Sequence, residues 1–93
     1  MTSELRSSLA ITLRHLAAAR YYLPIELPEG DAKVAATELE YFLHHNEYGL
    51  ALESAEALGL AVSAPPAFWR ELQLAAANMG LTDAANRIGV RAA

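Results

Sequence analysis

Apolar residues recur at spacings of three and four along most of the 93-residue chain, a period that predicts amphipathic helices rather than strands. From Ser3 to about Tyr22, Leu5, Leu9, Leu13, Leu16 and Ala17 fall on one stripe. Thr2 or Ser3 would cap its start, and Arg6, Arg14 and Arg20 lie on other faces. Pro24 and Pro28 stop this helix, so Leu23 to Gly30 reads as an extended connector. Asp31 suits the N-cap of a second helix running to about His45, with Ala32, Ala35, Leu39, Phe42 and Leu43 as its buried side. Val34, Glu38, Tyr41 and His45 form a separate stripe, while Lys33, Thr37, Glu40 and His44 lie opposite the buried side.

Asn46 interrupts the pattern and would cap a third helix starting near Glu47, whose charge favours a helix N-terminus. Tyr48, Ala51, Leu52, Ala55 and Leu58 are its expected core positions, and Glu53 and Glu56 an acidic stripe. Gly59 stands where a helix-terminating glycine is expected, with Leu60 closing a Schellman-type end. So short a link between the second and third helices predicts an αα-hairpin or sharp corner, with His44 to Tyr48 at its exposed vertex. Pro65-Pro66 opens a fourth helix carrying Phe68, Leu72, Ala75, Ala76 and Met79 at helical spacing, with Trp69 adjacent and Gly80 as its end. Thr82 with Asp83 would cap a short last helix through Ile88, terminated by Gly89, and Val90 to Ala93 is expected to be loose. The fold class is therefore all-α: one domain over residues 1–93, a compact bundle of four helices plus a short C-terminal helix.

Composition strengthens this reading. Ala and Leu supply 35 of the 50 apolar residues and Val and Ile only 6, a balance that favours helix. Cysteine is absent, which excludes disulfides, thiolate metal sites and cysteine nucleophiles. No apolar run reaches the roughly 18 residues of a membrane span. The start, Met1-Thr2-Ser3-Glu4-Leu5-Arg6, lacks the basic and apolar regions of a secretory signal, so a cytoplasmic location is expected.

The net charge of −4 conceals an asymmetry. Between Glu26 and Glu56, eight acids face the single base Lys33, a segment charge of −7, whereas three acids and six arginines leave the remainder at +3. Such a centre repels phosphate and attracts a basic partner. DNA binding by a helix-turn-helix is disfavoured further, because the would-be recognition helix carries Glu47, Glu53 and Glu56 and no Lys or Arg.

Little in the chain supports catalysis. Glu40 and His44 share a helical face as two metal ligands would, but no third ligand stands at a recognisable spacing, so neither metal nor cofactor is expected. No Gly-x-Ser-x-Gly elbow or glycine-rich phosphate loop occurs, and a non-enzymatic role follows. Gly49 has no stop role; it permits either close packing at the corner or the approach of a partner. Phe42, Phe68 and Trp69 read as core, while Tyr41 and Tyr48, beside acidic residues, are candidate interface anchors.

The stretch Glu40-Tyr41-Phe42-Leu43-His44-His45-Asn46-Glu47-Tyr48-Gly49-Leu50-Ala51-Leu52-Glu53 resembles the MafI-like small helical immunity proteins of bacterial polymorphic toxin systems. In that pattern a helix ending in a hydrophobic "FL-x-H" step is followed by "NEYGLALE". Phe68-Trp69-Arg70-Glu71-Leu72, Ala75-Ala76 and Met79-Gly80-Leu81 are similar to the group's closing helix, and the likeness spans residues 34 to 81. The resemblance implies a cytoplasmic antidote that binds the toxic C-terminal domain of a secreted protein, often a nuclease. It fixes neither the toxin nor any contact residue. Combined with the charge map, it nominates Glu38, Glu40, Glu47, Glu53 and Glu56 as partner-binding carboxylates, with Tyr41, His45 and Tyr48 as anchors. The alternative is a helical adaptor or self-associating domain in which Arg6, Arg14 and Arg20 meet the acidic helices of a second copy.

Overall fold

The computed structural model describes the backbone of residues 3–93 and the side chains from Ser7 onward. The Thr2 or Ser3 cap and the side chains of Leu5 and Arg6 fall outside that range. The chain forms α1 (Ser3–Tyr21), α2 (Asp31–His44), α3 (Tyr48–Ala61), α4 (Pro66–Asn78), α5 (Thr82–Gly89) and a closing 3₁₀ turn, Val90–Ala92. The described residues contain no strand, and none of their helices is long and apolar enough to cross a membrane. The all-α architecture of four main helices and a short fifth matches expectation.

Two pairs of helices make up the body. α2 lies along α3, α1 lies along α4, and α5 with the 3₁₀ turn packs on α4. α3 crosses α4 and joins the pairs. The core combines Leu16, Leu39, Leu52, Leu58, Phe68, Trp69, Leu72 and Ile88 with buried alanines from every helix except the first turns of α1. The expected core positions of α2, α3 and α4 are buried or half-buried, Phe42, Leu43, Tyr48 and Met79 being the half-buried ones.

The first helix turns differently from its leucine pattern. Thr12, Leu16 and Ala19 face inward, whereas Leu13 is 41% exposed and Ala17 also lies outside. The cause is a polar seam with α4. The Asn78 amide donates to the Ser8 carbonyl at 2.7 Å and the Thr12 hydroxyl at 2.8 Å, and His15 Nδ1 meets Glu71 Oε2 at 2.7 Å. Buried polar atoms must be paired, so a hydrogen-bonded threonine holds the inner face and a leucine is left outside.

Helix ends depart from the sequence reading in an instructive way. Three corners are Schellman motifs, each with a left-handed residue one place beyond the cap: Asn46 (φ 58°), Ser63 (φ 51°) and Gly80 (φ 74°). The paired bonds run from Glu47 N–H to Phe42 O and Asn46 N–H to Leu43 O, from Ala64 N–H to Gly59 O and Ser63 N–H to Leu60 O, and from Leu81 N–H to Ala76 O and Gly80 N–H to Ala77 O. Asn46 thus closes α2 rather than capping α3, whose N-cap position is Glu47. Gly30 rather than Asp31 holds the N-cap of α2, and Leu81 rather than Thr82 that of α5; from α2 onward no helix has a side-chain N-cap bond. α5 ends at Gly89 as expected, but with that residue in a right-handed helical conformation (φ −59°) that leads into the 3₁₀ turn, and the tail is docked, with Ala92 buried and the Arg91 guanidinium 5.4 Å from the Trp69 ring centroid.

Gly59 is the largest correction. It lies inside α3, buried, and a Cβ there would stand 2.4 Å from Phe68 Cε1 and 2.8 Å from the Trp69 ring. It is the contact point of α3 on α4, and the helix runs on to Ala61. Gly59→Ala is expected to destabilise the fold by about 1–3 kcal/mol through overpacking, seen as a lower midpoint in urea with the slope unchanged. Asn78→Ala should cost a further, separate loss of about 1–3 kcal/mol, because it strands the buried Thr12 hydroxyl.

Candidate functional site

The corner between α2 and α3 begins as a consequence of Asn46. Asparagine tolerates the left-handed region, so the chain reverses within Asn46 and Glu47 and both helices end at an exposed vertex. His44, His45, Asn46 and Glu47 are all exposed there. Tyr41, 57% exposed, stacks on His45 with ring centroids 4.2 Å apart and an interplanar angle of 28°. His45 Nδ1 lies 2.8 Å from the Tyr41 carbonyl, which can only accept, so Nδ1 carries the proton and Nε2 is the outer nitrogen. On the other side of the corner the half-buried Tyr48 donates its hydroxyl to Asn46 Oδ1 at 3.3 Å. The vertex is thus a small aromatic platform held in place by its own backbone.

The nominated carboxylates do not form one patch. Glu38 stands beside Val34 and Leu60 in a groove between α2 and α3, whereas Glu40 faces Arg20, Lys33 and Leu43 in a groove between α1 and α2. Glu53 and Glu56 line a third groove, between α3 and the start of α5. Tyr41, His45, Glu47 and Tyr48 gather at the corner, where α3 begins, and Gly49 and Glu53 continue from it along one side of that helix.

Glu56 is distinct from the other four. Its carboxylate takes both Arg87 Nη2 (2.6 Å) and Nε (3.2 Å), a bidentate pair that ties α3 to α5, and its side chain is only 17% exposed. The bond to Glu56, then its negative charge, pushes the Arg87 guanidinium pKa upward, so the arginine remains charged throughout the accessible pH range. Glu38, Glu40, Glu47 and Glu53 are exposed and make no salt bridge among the described residues.

Sequence reasoning missed one feature of this surface and left a second open. Arg87 was read only as part of a basic remainder, and nothing in its spacing from Glu56 points to a pair 31 residues apart. At Gly49, where close packing and the approach of a partner are both open on sequence, a Cβ meets nothing within 4 Å among the described residues. No group of three or more His, Asp or Glu among the described residues is arranged to hold a metal ion, and Glu40 and His44 remain a lone pair of exposed side chains.

No protein-family model, curated protein or solved structure matches this chain. The structure ties the end of α5 to α3 through one ion pair. Replacing Arg87 with Met should therefore speed amide hydrogen exchange severalfold across α5 and leave exchange in α1 unchanged.

Proposed function

We propose that this protein is a non-enzymatic immunity protein that acts in the cytoplasm, binding a basic toxin domain and occluding its active or substrate-binding surface. The observation that carries this reading is the exposed corner of α2 and α3, where a stacked Tyr41–His45 platform stands beside the exposed Glu47, a carboxylate without an ion-pair partner among the described residues. Exposed carboxylates that find no cation among the described residues are complementary to the lysines and arginines with which a nuclease holds its substrate. The resemblance of residues 40–53 to the MafI-like group falls on the same corner.

The arrangement divides the labour among the acids. An isolated rim charge contributes only about 0.2–1 kcal/mol, so affinity must come from the aromatic platform and from carboxylates desolvated against guanidinium groups. Tyr41, His45, Glu47, Tyr48 and Glu53 share the contact face. Glu38 and Glu40, in separate grooves, act through the field that draws a basic partner in. Glu56, held by Arg87, braces α5 beside that face.

One observation favours a second reading, self-association. Leu13 is exposed on α1, and the adjoining α1–α2 groove carries Arg20 and Lys33 together with Glu40, so its charges complement those of a second copy placed antiparallel. Sedimentation across salt concentrations separates the two: a salt-sensitive dimer favours self-association, and a monomer disfavours it.

The decisive experiment co-expresses the protein with the C-terminal domain of whatever protein the gene immediately upstream encodes, and follows binding kinetics and inhibition of that domain's toxicity. Glu47→Lys with Glu53→Lys should raise the dissociation rate at least tenfold. Glu38→Lys with Glu40→Lys should mainly slow association and flatten its salt dependence. A toxin domain that neither binds nor is inhibited removes the proposal.

A further inference from the structure

Gly49 is the second residue of α3, and nothing among the described residues lies within 4 Å of where a Cβ on it would stand. Gly49 also lines the concavity between α3 and α5, about 650 Å³ in volume. Leu52 and Ala84 give it an apolar floor, and Leu81, 40% exposed, stands on its edge. Glu53 and Asp83 supply one carboxylate each from α3 and α5. The third carboxylate in the lining, Glu56, pairs with Arg87, whose charge is also felt by Glu53 and Asp83, so three carboxylates face one guanidinium and the lining keeps an excess of negative charge.

Apolar floor, paired carboxylates and an open backbone position together describe the requirements of an arginine side chain. Its methylene stem needs apolar surface, its planar guanidinium suits carboxylates on two sides, and its bulk needs close approach to the wall. The Glu56–Arg87 pair shows the same chemistry already in use in this groove, a guanidinium held flat against a carboxylate of α3. A lysine would fit the charge and leave the planar slot unused.

We propose that the α3–α5 groove seats an arginine of the toxin domain, with its stem passing over Gly49 against Leu81 and its guanidinium held between Glu53 and Asp83. The inference rests on the immunity reading for the identity of the partner, and on the groove itself for the chemistry of the side chain. A methyl group at position 49 would then narrow the slot.

Two measurements on the full chain test it. In the first, the affinity of the upstream-encoded toxin domain is measured with Gly49→Ala, with Glu53→Gln plus Asp83→Asn, and with Glu26→Gln, an exposed connector acid outside the groove. Gly49→Ala should melt at a higher temperature than the parent and bind at least tenfold more weakly. The double variant should lose at least tenfold, and Glu26→Gln should stay within twofold. In the second, N-acetyl-arginine amide and N-acetyl-lysine amide are titrated into labelled protein. The arginine probe should shift the Gly49, Gly80 and Leu81 amides saturably, more than lysine does, and the shifts should vanish in the double variant. If the toxin binds the parent protein but Gly49→Ala and the double variant bind within twofold, the groove assignment is wrong and the immunity role stands. If the toxin does not bind at all, the immunity role falls and the arginine titration decides the groove: unmoved groove amides overturn it, and selective, saturable shifts uphold an arginine site for another partner.

Discussion

The contact of Gly59 with the rings of Phe68 and Trp69 is the joint on which the fold turns. α2 packs along α3 and α1 along α4, so the two halves of the molecule meet chiefly where α3 crosses α4. At that crossing the absence of a single Cβ lets two aromatic rings come within van der Waals distance of a helix backbone. Phe68 and Trp69 pack edge to face at 5.1 Å, and the Trp69 indole N–H donates to the Ala64 carbonyl just beyond α3. Aromatic burial, a satisfied donor and the docked tail under Arg91 all converge on one residue that has no side chain.

That constraint explains why α3 could be read correctly as a helix and wrongly as to its end. A glycine followed by leucine looks the same in sequence whether it terminates a helix or admits a neighbouring ring. The helix ends at Ala61, and the left-handed residue beyond its cap is Ser63, a conformation that serine adopts at some steric cost and that no local rule selects over Gly59. The fourth helix, by contrast, was legible at both ends, because Pro66 at the first turn and Gly80 beyond the cap are each fitted to their backbone conformations. α1 shows the other limit of periodicity. The pattern identified a helix, but the face it buries was decided by Asn78, some seventy residues away in sequence, whose amide needs Ser8 and Thr12.

The candidate site was legible in part for the same reason. Charge counting located the acidic α2–α3 segment, and the Asn46 break located the corner, since both are local properties. How the carboxylates divide among grooves depends on which helices flank α2 and α3. Glu38 and Glu40, two residues apart, consequently face different neighbours. Arg87 joins the surface only because α5 folds back across α4, and it converts Glu56 from a free acid into a brace.

α3 therefore carries two separate assignments on opposite sides. Ala51, Leu52, Ala55, Leu58 and Gly59 are buried in the core, and Gly59 fixes the crossing with α4. Gly49 and Glu53 lie outside the core, touching the groove and not the crossing. Substitutions on the outer side change charge and shape without opening a cavity or stranding a buried polar group, the two routes to large destabilisation. A helix built this way can vary the face it offers to a partner while the alanine-lined core and the glycine crossing stay fixed. The lone exception on that outer side is Glu56, where a change of partner specificity would also release α5, so the brace and the contact surface cannot vary independently there.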